Sequence, residues 1–272
     1  MVAPAIEGQF GPDVSVGMIR EAVMKLGFRD MYEVSLGADF VSKNEGQELL
    51  EHYEAGEKMT TSCCPAFVSL IKKHYPQVLK YMSTTVSPMT ATGRLIKAMH
   101  PDAVCVFIGP CIAKKSEVID SITFGGADYA MTYEELASMF EAKNIDPEEC
   151  TETLQQGSKF GKQYSVSGGV TAAVLETFKE ANKEVDLKVK TCSGALECKK
   201  ALMLLKVGKL PEDFIEGMAC VGGCVNGPAM LGKSRTFLKD RNGQIAKADD
   251  RGVLENVAQY DEYGINMTRN HQ

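Results

Sequence analysis

The chain has 272 residues, 44% of them hydrophobic, and a formal net charge of −6. Its acidic and basic residues are interspersed, so no basic block indicates nucleic acid or an anionic membrane surface as a partner. No apolar run approaches the ~18 residues of a membrane span, and the N-terminus lacks the basic start and apolar stretch of a secretory signal. We therefore expect a cytoplasmic protein that has neither nucleic acid nor a membrane as its partner.

Hydrophobic periodicity predicts helices that alternate with short strands. In chain order we expect a helix over 14–26, a strand over 32–35, helices over 45–53, 66–74 and 90–99, a buried strand over 103–108, helices over 133–142 and 169–181, a strand over 185–190, and a helix over 195–205. Such alternation is typical of an α/β fold with mainly parallel sheets flanked by helices.

The polar segment 143–164 predicts a boundary between two lobes, approximately 1–145 and 146–272. The polar tail after residue 260 predicts poor order at the C-terminus. The length allows one large domain or two closely joined lobes.

The chain contains nine cysteines and only four histidines. An odd number of cysteines in a large chain without a secretory signal argues against a disulfide framework. No histidine stands at metal-ligand spacing from another histidine or a cysteine, so a mixed Cys/His zinc site is not expected. An all-thiolate site remains, and thiolates favour iron–sulfur clusters or zinc.

Three loops that are framed by glycine or proline carry the cysteines of interest: T-T-S-C-C-P-A-F over 60–67, F-I-G-P-C-I-A-K-K-S-E over 107–117, and E-G-M-A-C-V-G-G-C-V-N-G-P over 216–228. Proline stiffens the first two loops, and the glycines of the third let the backbone approach an inorganic group. Their spacing predicts that four thiolates hold one metal centre: Cys64, Cys111, Cys220 and Cys224.

The other cysteines have a simpler interpretation, since free cysteine often only packs in a protein interior. We expect Cys105, Cys150, Cys192 and Cys198 to be buried packing residues. The segment C-S-G-A-L-E-C around the last two could also hold a reactive pair.

The three loops resemble the signatures of the FeFe-hydrogenase family, approximately T-S-C-C-P-x-[WF], x-P-C-x-x-K-x-x-E and E-x-M-A-C-x-x-G-C-x-x-G, in the same order over 61–227. The segments V-A-P-A, G-A-D-F, S-T-T-V-S-P and S-G-G-V are also similar to the family. The resemblance covers nearly the whole chain, and it implies a single catalytic domain over 1–272 with the metal cluster between its lobes.

The resemblance implies a specific cofactor and reaction. The family's H-cluster is a 4Fe–4S cubane that one cysteine sulfur joins to a di-iron unit carrying CO, CN and a bridging dithiolate, and it cleaves dihydrogen reversibly into protons and electrons. By position, Cys64, Cys111 and Cys220 would be cubane ligands and Cys224 would also bridge to the di-iron unit. The implied partners are ferredoxin or fused ferredoxin-like domains and the maturation proteins, without which the di-iron unit would be absent.

The resemblance also assigns residues around the di-iron unit. Cys63 would relay the proton, a task that suits a thiol because it can donate and accept; alternatively it only packs beside a ligand. Lys114 would hold a cyanide ligand, since an ammonium is a compact three-donor charge; alternatively it is a surface lysine. Met218 and Ser87 would contact the di-iron ligands, and Glu117 would be a structural acid.

Three further residues match the family's proton route beyond the cysteine: Glu45, Glu48 and Ser83. The two glutamates are three residues apart and would share one face of a helix. The alternative interpretation is a pair of ordinary solvated glutamates.

The sequence departs from the family at several positions. Gly109 stands where catalytic members carry Met, which should open space around the di-iron unit, and Phe67 replaces the usual Trp. The loop after Cys224 continues G-P-A-M-L-G instead of G-G-G-Q-P. Similar departures occur in sensory members, so high turnover is in doubt. Ferredoxin-like domains with C-x-x-C repeats are absent from the chain, and we expect that it is truncated.

The leading interpretation is therefore a redox enzyme of dihydrogen. A hydrogen or redox sensor with the same cluster and low turnover is the first alternative, favoured by Gly109. A hydrogenase-like iron–sulfur assembly scaffold is the second, although the intact Cys63–Cys64 pair argues against it. A zinc-binding structural protein is a distant fourth hypothesis.

Overall fold

A computed structural model describes residues 1–120, 125–153, 156–232 and 235–269. The named strands of this part of the chain pair in parallel and form two sheets, one with the order β1–β5–β4 and one with the pair β2–β3. The strands are β1 (Met59–Thr60), β2 (Val106–Ile108), β3 (Tyr129–Met131), β4 (Val189–Ser193) and β5 (Phe214–Met218).

Helices flank both sheets. They are α1 (Val16–Lys25), α2 (Val34–Glu54), α3 (Pro65–His74), α4 (Pro88–Met99), α5 (Ala113–Ile119), α6 (Tyr133–Lys143), α7 (Lys159–Gln163), α8 (Gly169–Glu180), α9 (Ala195–Lys206), α10 (Arg235–Ile245) and α11 (Val253–Ala258). The predicted α/β architecture is confirmed.

Strand β5 is the centre of the larger sheet, and all five of its residues are buried. Its one charged side chain, Glu216, accepts hydrogen bonds from the Gly168 amide at 2.7 Å, the Thr171 amide at 2.9 Å and the Thr171 hydroxyl at 2.7 Å. These three donors replace the water that burial removes. They also fix the start of α8 against the sheet.

Helix α2 is the longest helix of the described chain, and its first half was not predicted. The predicted strand over 32–35 is wrong, because α2 begins at Val34 and Glu33 makes only an isolated bridge with Val2. The predicted helix over 45–53 covers only the end of α2. Residues from Val34 to Ser42 are buried, so this half lacks the apolar/polar alternation that identifies a surface helix.

Several other boundaries also differ from the prediction. The buried strand expected over 103–108 is limited to β2, and the strand expected over 185–190 lies later, as β4. Strands β1, β3 and β5 were not predicted. The polar segment 143–164 contains the short helix α7.

The C-terminal segment makes specific contacts at residues 267–269, so the predicted poor order is wrong there; residues 270–272 lie outside the described part of the chain. The Val86 amide donates to the Met267 carbonyl at 2.9 Å, and Thr268 forms a bridge with Thr85. The Arg269 guanidinium donates to the Ser62 carbonyl at 3.1 Å. Backbone pairing and one buried arginine hold this polar segment, and composition does not reveal such contacts.

The two sheets both draw on the first half of the sequence. Strand β1 comes from that half and pairs with β5 from the second half. A lobe boundary near residue 145 therefore stays a prediction. Within the described part of the chain, no helix has the length and apolar character that crossing a membrane requires.

We predict that Gly37→Ala destabilises the fold. Helices α2 and α4 cross so closely that a Cβ at Gly37 would lie 2.2 Å from Thr92 Oγ1 and 2.3 Å from the Pro88 carbonyl oxygen. Overpacking of this kind costs about 1–3 kcal/mol. Urea unfolding measures the change.

The matched control is Gly243→Ala in α10, where nothing lies within 4 Å of the new Cβ. Alanine should stabilise this helix by up to ~1 kcal/mol, because glycine loses more backbone entropy on folding. Equal effects of the two substitutions would contradict the close crossing.

Candidate metal centre

The three cysteine loops follow strands of the two parallel sheets and meet at one cavity. Cys64 lies after β1 and directly precedes α3, Cys111 follows β2, and Cys220 and Cys224 follow β5. All four line a cavity of about 110 Å³, together with Cys63. The structure thus brings together the four thiols that the sequence predicted to share one centre.

Solvent exposure distinguishes the cysteines of the cavity from the other four. The four candidate ligands and Cys63 are partly exposed, because they face the cavity. The remaining cysteines are buried, as predicted: Cys105, Cys150, Cys192 and Cys198.

Burial desolvates two of the candidate ligand thiols, Cys111 and Cys224. Burial raises the pKa of Cys111 to about 11, an effect that the Lys114 ammonium and two backbone amides at the start of α5 oppose. Burial also raises the pKa of Cys224 above its ordinary value, and the neighbouring thiols of Cys111, Cys64 and Cys220 raise it further. Without a metal these groups stay protonated, so metal binding must release their protons.

The donor set of the cavity is four thiols, the ligand type of iron–sulfur clusters and of zinc. Among the described residues, no three His, Cys, Asp or Glu side chains are close enough to hold one metal ion. Four sulfurs on one zinc would lie about 3.8 Å apart, given Zn–S bonds of about 2.3 Å in a tetrahedron. Thiolates that each bind a different iron of a cubane are spaced more widely. The donor set therefore fits an iron–sulfur cluster.

Glycines let the second and third loops pack backbone against backbone. Gly223 has a φ of 97°, and a Cβ there would lie 2.7 Å from the Ser165 carbonyl oxygen. A Cβ at Gly227 would lie 2.6 Å from the Pro110 carbonyl oxygen, one residue before Cys111. The approach at Gly227 brings the Cys224 and Cys111 loops together, and the approach at Gly223 packs the Cys224 loop against the segment that precedes α8.

Beyond the thiols, the cavity wall is mainly apolar. Met218 lines it, as predicted, whereas Ser87 does not. The Ser87 hydroxyl accepts from the Thr90 amide at 3.4 Å and so caps α4. The wall residues that sequence analysis missed include Ala3, Pro4, Ala5, Val34, Ala38, Pro88, Met89, Phe107 and Tyr164.

Lys114 is buried at the cavity wall, with 8% of its surface exposed. Its ammonium lies 2.6 Å from Glu117 Oε2, 3.5 Å from the Cys63 carbonyl oxygen and 5.9 Å from the centre of the Phe107 ring. Glu117 thus balances a charge that burial would otherwise penalise. The Lys114–Glu117 pair therefore places an ammonium group next to Cys63.

A series of side chains leads from Cys63 away from the cavity. Glu45 is fully buried, and its Oε1 accepts from the Ser62 amide at 3.4 Å. The Ser83 hydroxyl donates to Glu48 Oε2 at 2.6 Å, and the Thr84 amide donates to Glu48 Oε1 at 2.7 Å. Glu48 is half-buried, so this series extends toward solvent.

Burial and neighbouring charges raise the pKa values of Glu45 and Cys63. Burial, together with the carboxylate of Glu48, raises the pKa of Glu45 to about 8. The Ser62 amide and the Ser83 hydroxyl oppose this rise. Burial also raises the pKa of the Cys63 thiol, and Glu45 adds to that rise. Among the described residues, nothing donates to Glu45 Oε2. An incompletely bonded carboxyl group with a raised pKa therefore lies close enough to the Cys63 thiol to raise the pKa of that thiol.

Comparison with known proteins identifies the family. The family described as iron only hydrogenase large subunit, C-terminal domain, matches residues 1–228 of the chain. The chain belongs to this family. The predicted membership of the FeFe hydrogenases is therefore confirmed.

Individual relatives agree with the family match. The periplasmic [Fe] hydrogenase large subunit of Nitratidesulfovibrio vulgaris is 31% identical, over 85% of this chain and 69% of that protein. The cytosolic Fe-S cluster assembly factor narfl of Danio rerio is 25% identical, over 87% of this chain and 72% of that protein. The chain spans about half the length of two other curated hydrogenase relatives.

A solved structure shows the same fold. A variant of [FeFe]-hydrogenase HydA1 from Chlamydomonas reinhardtii has a TM-score of 0.76 at 23% identity, over 97% of this chain and 88% of that one.

No empty space lies beside Gly109, the position at which catalytic members of the family carry Met. Gly109 was expected to open space, but a Cβ at this residue would lie 2.6 Å from Phe107 Cε1 and Cζ and 3.2 Å from Ala3 Cβ. The Phe107 ring occupies the place that a larger side chain at position 109 would need. The expectation of open space is therefore wrong.

Tyr164 is a polar wall residue that sequence analysis missed. Its hydroxyl accepts from the Ser42 hydroxyl at 2.9 Å, and burial raises its pKa well above the ordinary value. Glu45 and Cys63 are close enough to raise it further. Its segment was interpreted as a lobe boundary, and no local pattern indicates that it faces the cavity.

We predict that Gly109→Met destabilises this hydrogenase-family domain by about 1–3 kcal/mol, because the new side chain must displace Phe107. Phe107→Ala alone should also destabilise it, by about 3–5 kcal/mol. In the double variant the Met should fill the vacated space and recover part of the loss. Thermal or urea unfolding of the four proteins measures the coupling, and strictly additive losses would argue against shared space.

We predict that Glu45 makes the metal-free chain less stable as pH rises from about 5 to about 8. In this range the folded state keeps the Glu45 proton, given a pKa of about 8, while the unfolded state releases it. Glu45→Gln should remove this decline and gain a few kcal/mol relative to the parent at pH 8. Urea unfolding at several pH values tests it; parallel profiles would contradict the burial of an ionisable carboxyl.

Proposed function

We propose that the chain binds a 4Fe–4S cubane through Cys64, Cys111, Cys220 and Cys224, holds a di-iron unit beside it, and catalyses reversible cleavage of dihydrogen. The observation that carries this proposal is the single cavity lined by all four thiols and by Cys63. The cubane would occupy the thiol end. The di-iron unit, with its CO, CN and dithiolate ligands, would occupy the apolar end near Met218 and supply the metal that binds dihydrogen.

Cys63 is the proposed proton donor and acceptor at the cavity wall. Its raised pKa keeps the thiol protonated and able to donate. Glu45 lies behind it, followed by Ser83 and Glu48. A proton leaving the cavity would pass from Cys63 toward Glu45, then through the Ser83 hydroxyl to Glu48 near solvent. Alternating donors and acceptors of this kind allow stepwise transfer.

Lys114 would donate to an anionic ligand of the di-iron unit. Its ammonium already has one carboxylate partner, Glu117, at 2.6 Å, which leaves further N–H groups of the same nitrogen for the cavity. The apolar wall excludes water and strengthens this charge.

A hydrogen or redox sensor with low turnover is the second candidate. The Phe107 ring beside Gly109 favours it, because the usual Met contact to the di-iron unit is replaced by a flat apolar surface. The assembly factor of Danio rerio also makes a cubane scaffold a relevant alternative. Against the scaffold stands the proton route behind Cys63, which a scaffold would not need.

The remaining partners follow from the chemistry. Electrons would come from ferredoxin or ferredoxin-like domains, and maturation proteins would install the di-iron unit. A cytoplasmic location stays our proposal; the Nitratidesulfovibrio relative is a periplasmic protein by name.

Infrared spectroscopy tests the proposal. The chain is first reconstituted with iron and sulfide, and a synthetic di-iron complex is then added. Bands of CO and CN bound to iron, together with dihydrogen turnover, are the expected result. A cubane that forms without ever taking up the di-iron unit would favour the scaffold. Normal bands with a measurable but very slow rate would favour the sensor.

We predict that Cys63→Ala lowers dihydrogen turnover by about 100-fold or more while the infrared bands remain, since a positioned acid or base contributes about 10²–10⁴-fold. The matched control is Cys105→Ala, a buried cysteine of the strand region that does not line the cavity. Unchanged turnover in the Cys63 variant would refute the relay.

A further inference from the structure

An exposed apolar stripe runs along the outer face of α9. Four side chains form it, with large exposed fractions: Leu196 75%, Met203 58%, Val207 59% and the neighbouring Val221 72%. The opposite face of the helix is buried through residues such as Cys198 and Leu202, so the stripe does not serve the core. Grouped apolar exposure of this kind marks an interaction surface.

Two lysines complete this surface. Lys199 and Lys200 are exposed, and they lie three and four residues after Leu196, on the same face of α9. The acid within the same helix, Glu197, instead accepts from the Ser193 amide at 2.9 Å, at the start of the helix. The α9 patch, defined as Leu196, Lys199, Lys200, Met203, Val207 and Val221, is thus cationic on a chain of net charge −6.

The α9 patch is continuous with the loop of the candidate ligands. Val221 directly follows Cys220, and its Cγ2 would lie 2.7 Å from a Cβ at Gly194, the residue that precedes α9. The Gly222 amide donates to the Ser193 hydroxyl at 2.7 Å, and the Gly194 amide donates to the Met218 carbonyl at 2.8 Å. The surface beside Val221 is therefore separated from the cavity only by the ligand loop.

We propose that the α9 patch docks a small acidic electron carrier, a protein whose own redox centre lies near an acidic and partly apolar face. The inference rests on the proposed function. One electron would pass from the reduced carrier, which is oxidised, to the cubane through the Cys220 loop. Two such transfers and two protons account for one dihydrogen molecule.

Charge decides between this occupant and a second copy of the chain. In a symmetric dimer across the α9 patch, Lys199 and Lys200 would approach their own copies, and this repulsion opposes association. Acidic side chains would instead pair with them, while the apolar stripe supplies the desolvated contact. Local cationic charge also orients an acidic carrier that the chain's overall charge repels.

Calorimetric titration tests the docking, with a bacterial 2[4Fe–4S] ferredoxin and a flavodoxin as probes. Met203→Glu and the double variant Lys199→Glu/Lys200→Glu should each raise the Kd of at least one probe roughly tenfold or more. Added salt should weaken binding to the unaltered chain. The matched control is Lys183→Glu, an exposed lysine outside the patch, which should leave the Kd unchanged.

A kinetic readout supports the titration. In the cubane-reconstituted chain, the patch variants should slow cubane reduction by the reduced carrier by a similar factor, whereas reduction by methyl viologen radical should be unchanged. Binding that is lost equally in the control, or that neither probe shows, overturns the proposal. A chain that is dimeric by light scattering and becomes monomeric with Met203→Glu assigns the patch to a second copy and also overturns it.

Failure of the proposed function gives a different result. Absence of the infrared bands and of turnover would leave carrier binding intact if the docking inference is correct. Loss of carrier binding with normal bands would refute docking alone.

Discussion

Parallel pairing of β1 with β5, and the end of β2 at the same cavity, determines where every candidate ligand lies. The register is fixed by the sheet, with Met59 opposite Phe214 and Thr60 opposite Ile215. A slip of one residue would move a thiol by about 3.3 Å, far beyond the ~0.2 Å that metal–ligand distances tolerate. Sheet pairing and cluster ligation are therefore one constraint, and the buried ladder of β5 serves both.

Two buried carboxyl groups near the cavity show how the fold distinguishes structure from chemistry. Glu216 lies within β5 and receives three hydrogen bonds, so its charge is satisfied locally. Glu45 Oε1 accepts a long bond from the Ser62 amide, and Glu45 Oε2 has no donor among the described residues. Burial raises the pKa of both. Glu45 lies near the Ser83 hydroxyl, which donates to the Glu48 carboxylate, and the proposed proton route uses this arrangement.

The sequence was sufficient to predict that the three cysteine loops meet, because the signals of these loops are local: glycine and proline stand beside cysteine at fixed spacing. It was insufficient for the first half of α2, since burial on all sides removes periodicity there. Strand β1 has only two residues, and Glu216 and Gly217 interrupt the apolar run of β5. Ser87 fits the family's motif yet caps α4, because a motif fixes position along the chain and not side-chain direction.

Phe107 and Gly109 show why a missing side chain need not leave a void. Side chains alternate along β2, so residues 107 and 109 point to the same side of the strand, and the aromatic ring of one covers the bare backbone of the other. The ring also lies below the Lys114 ammonium. This exchange alters the cavity wall at Phe107, which lines the same cavity as Cys63. Under the proposed function, the Phe107 surface would shape the environment of the cofactor, and Lys114 would connect that surface to the backbone of Cys63.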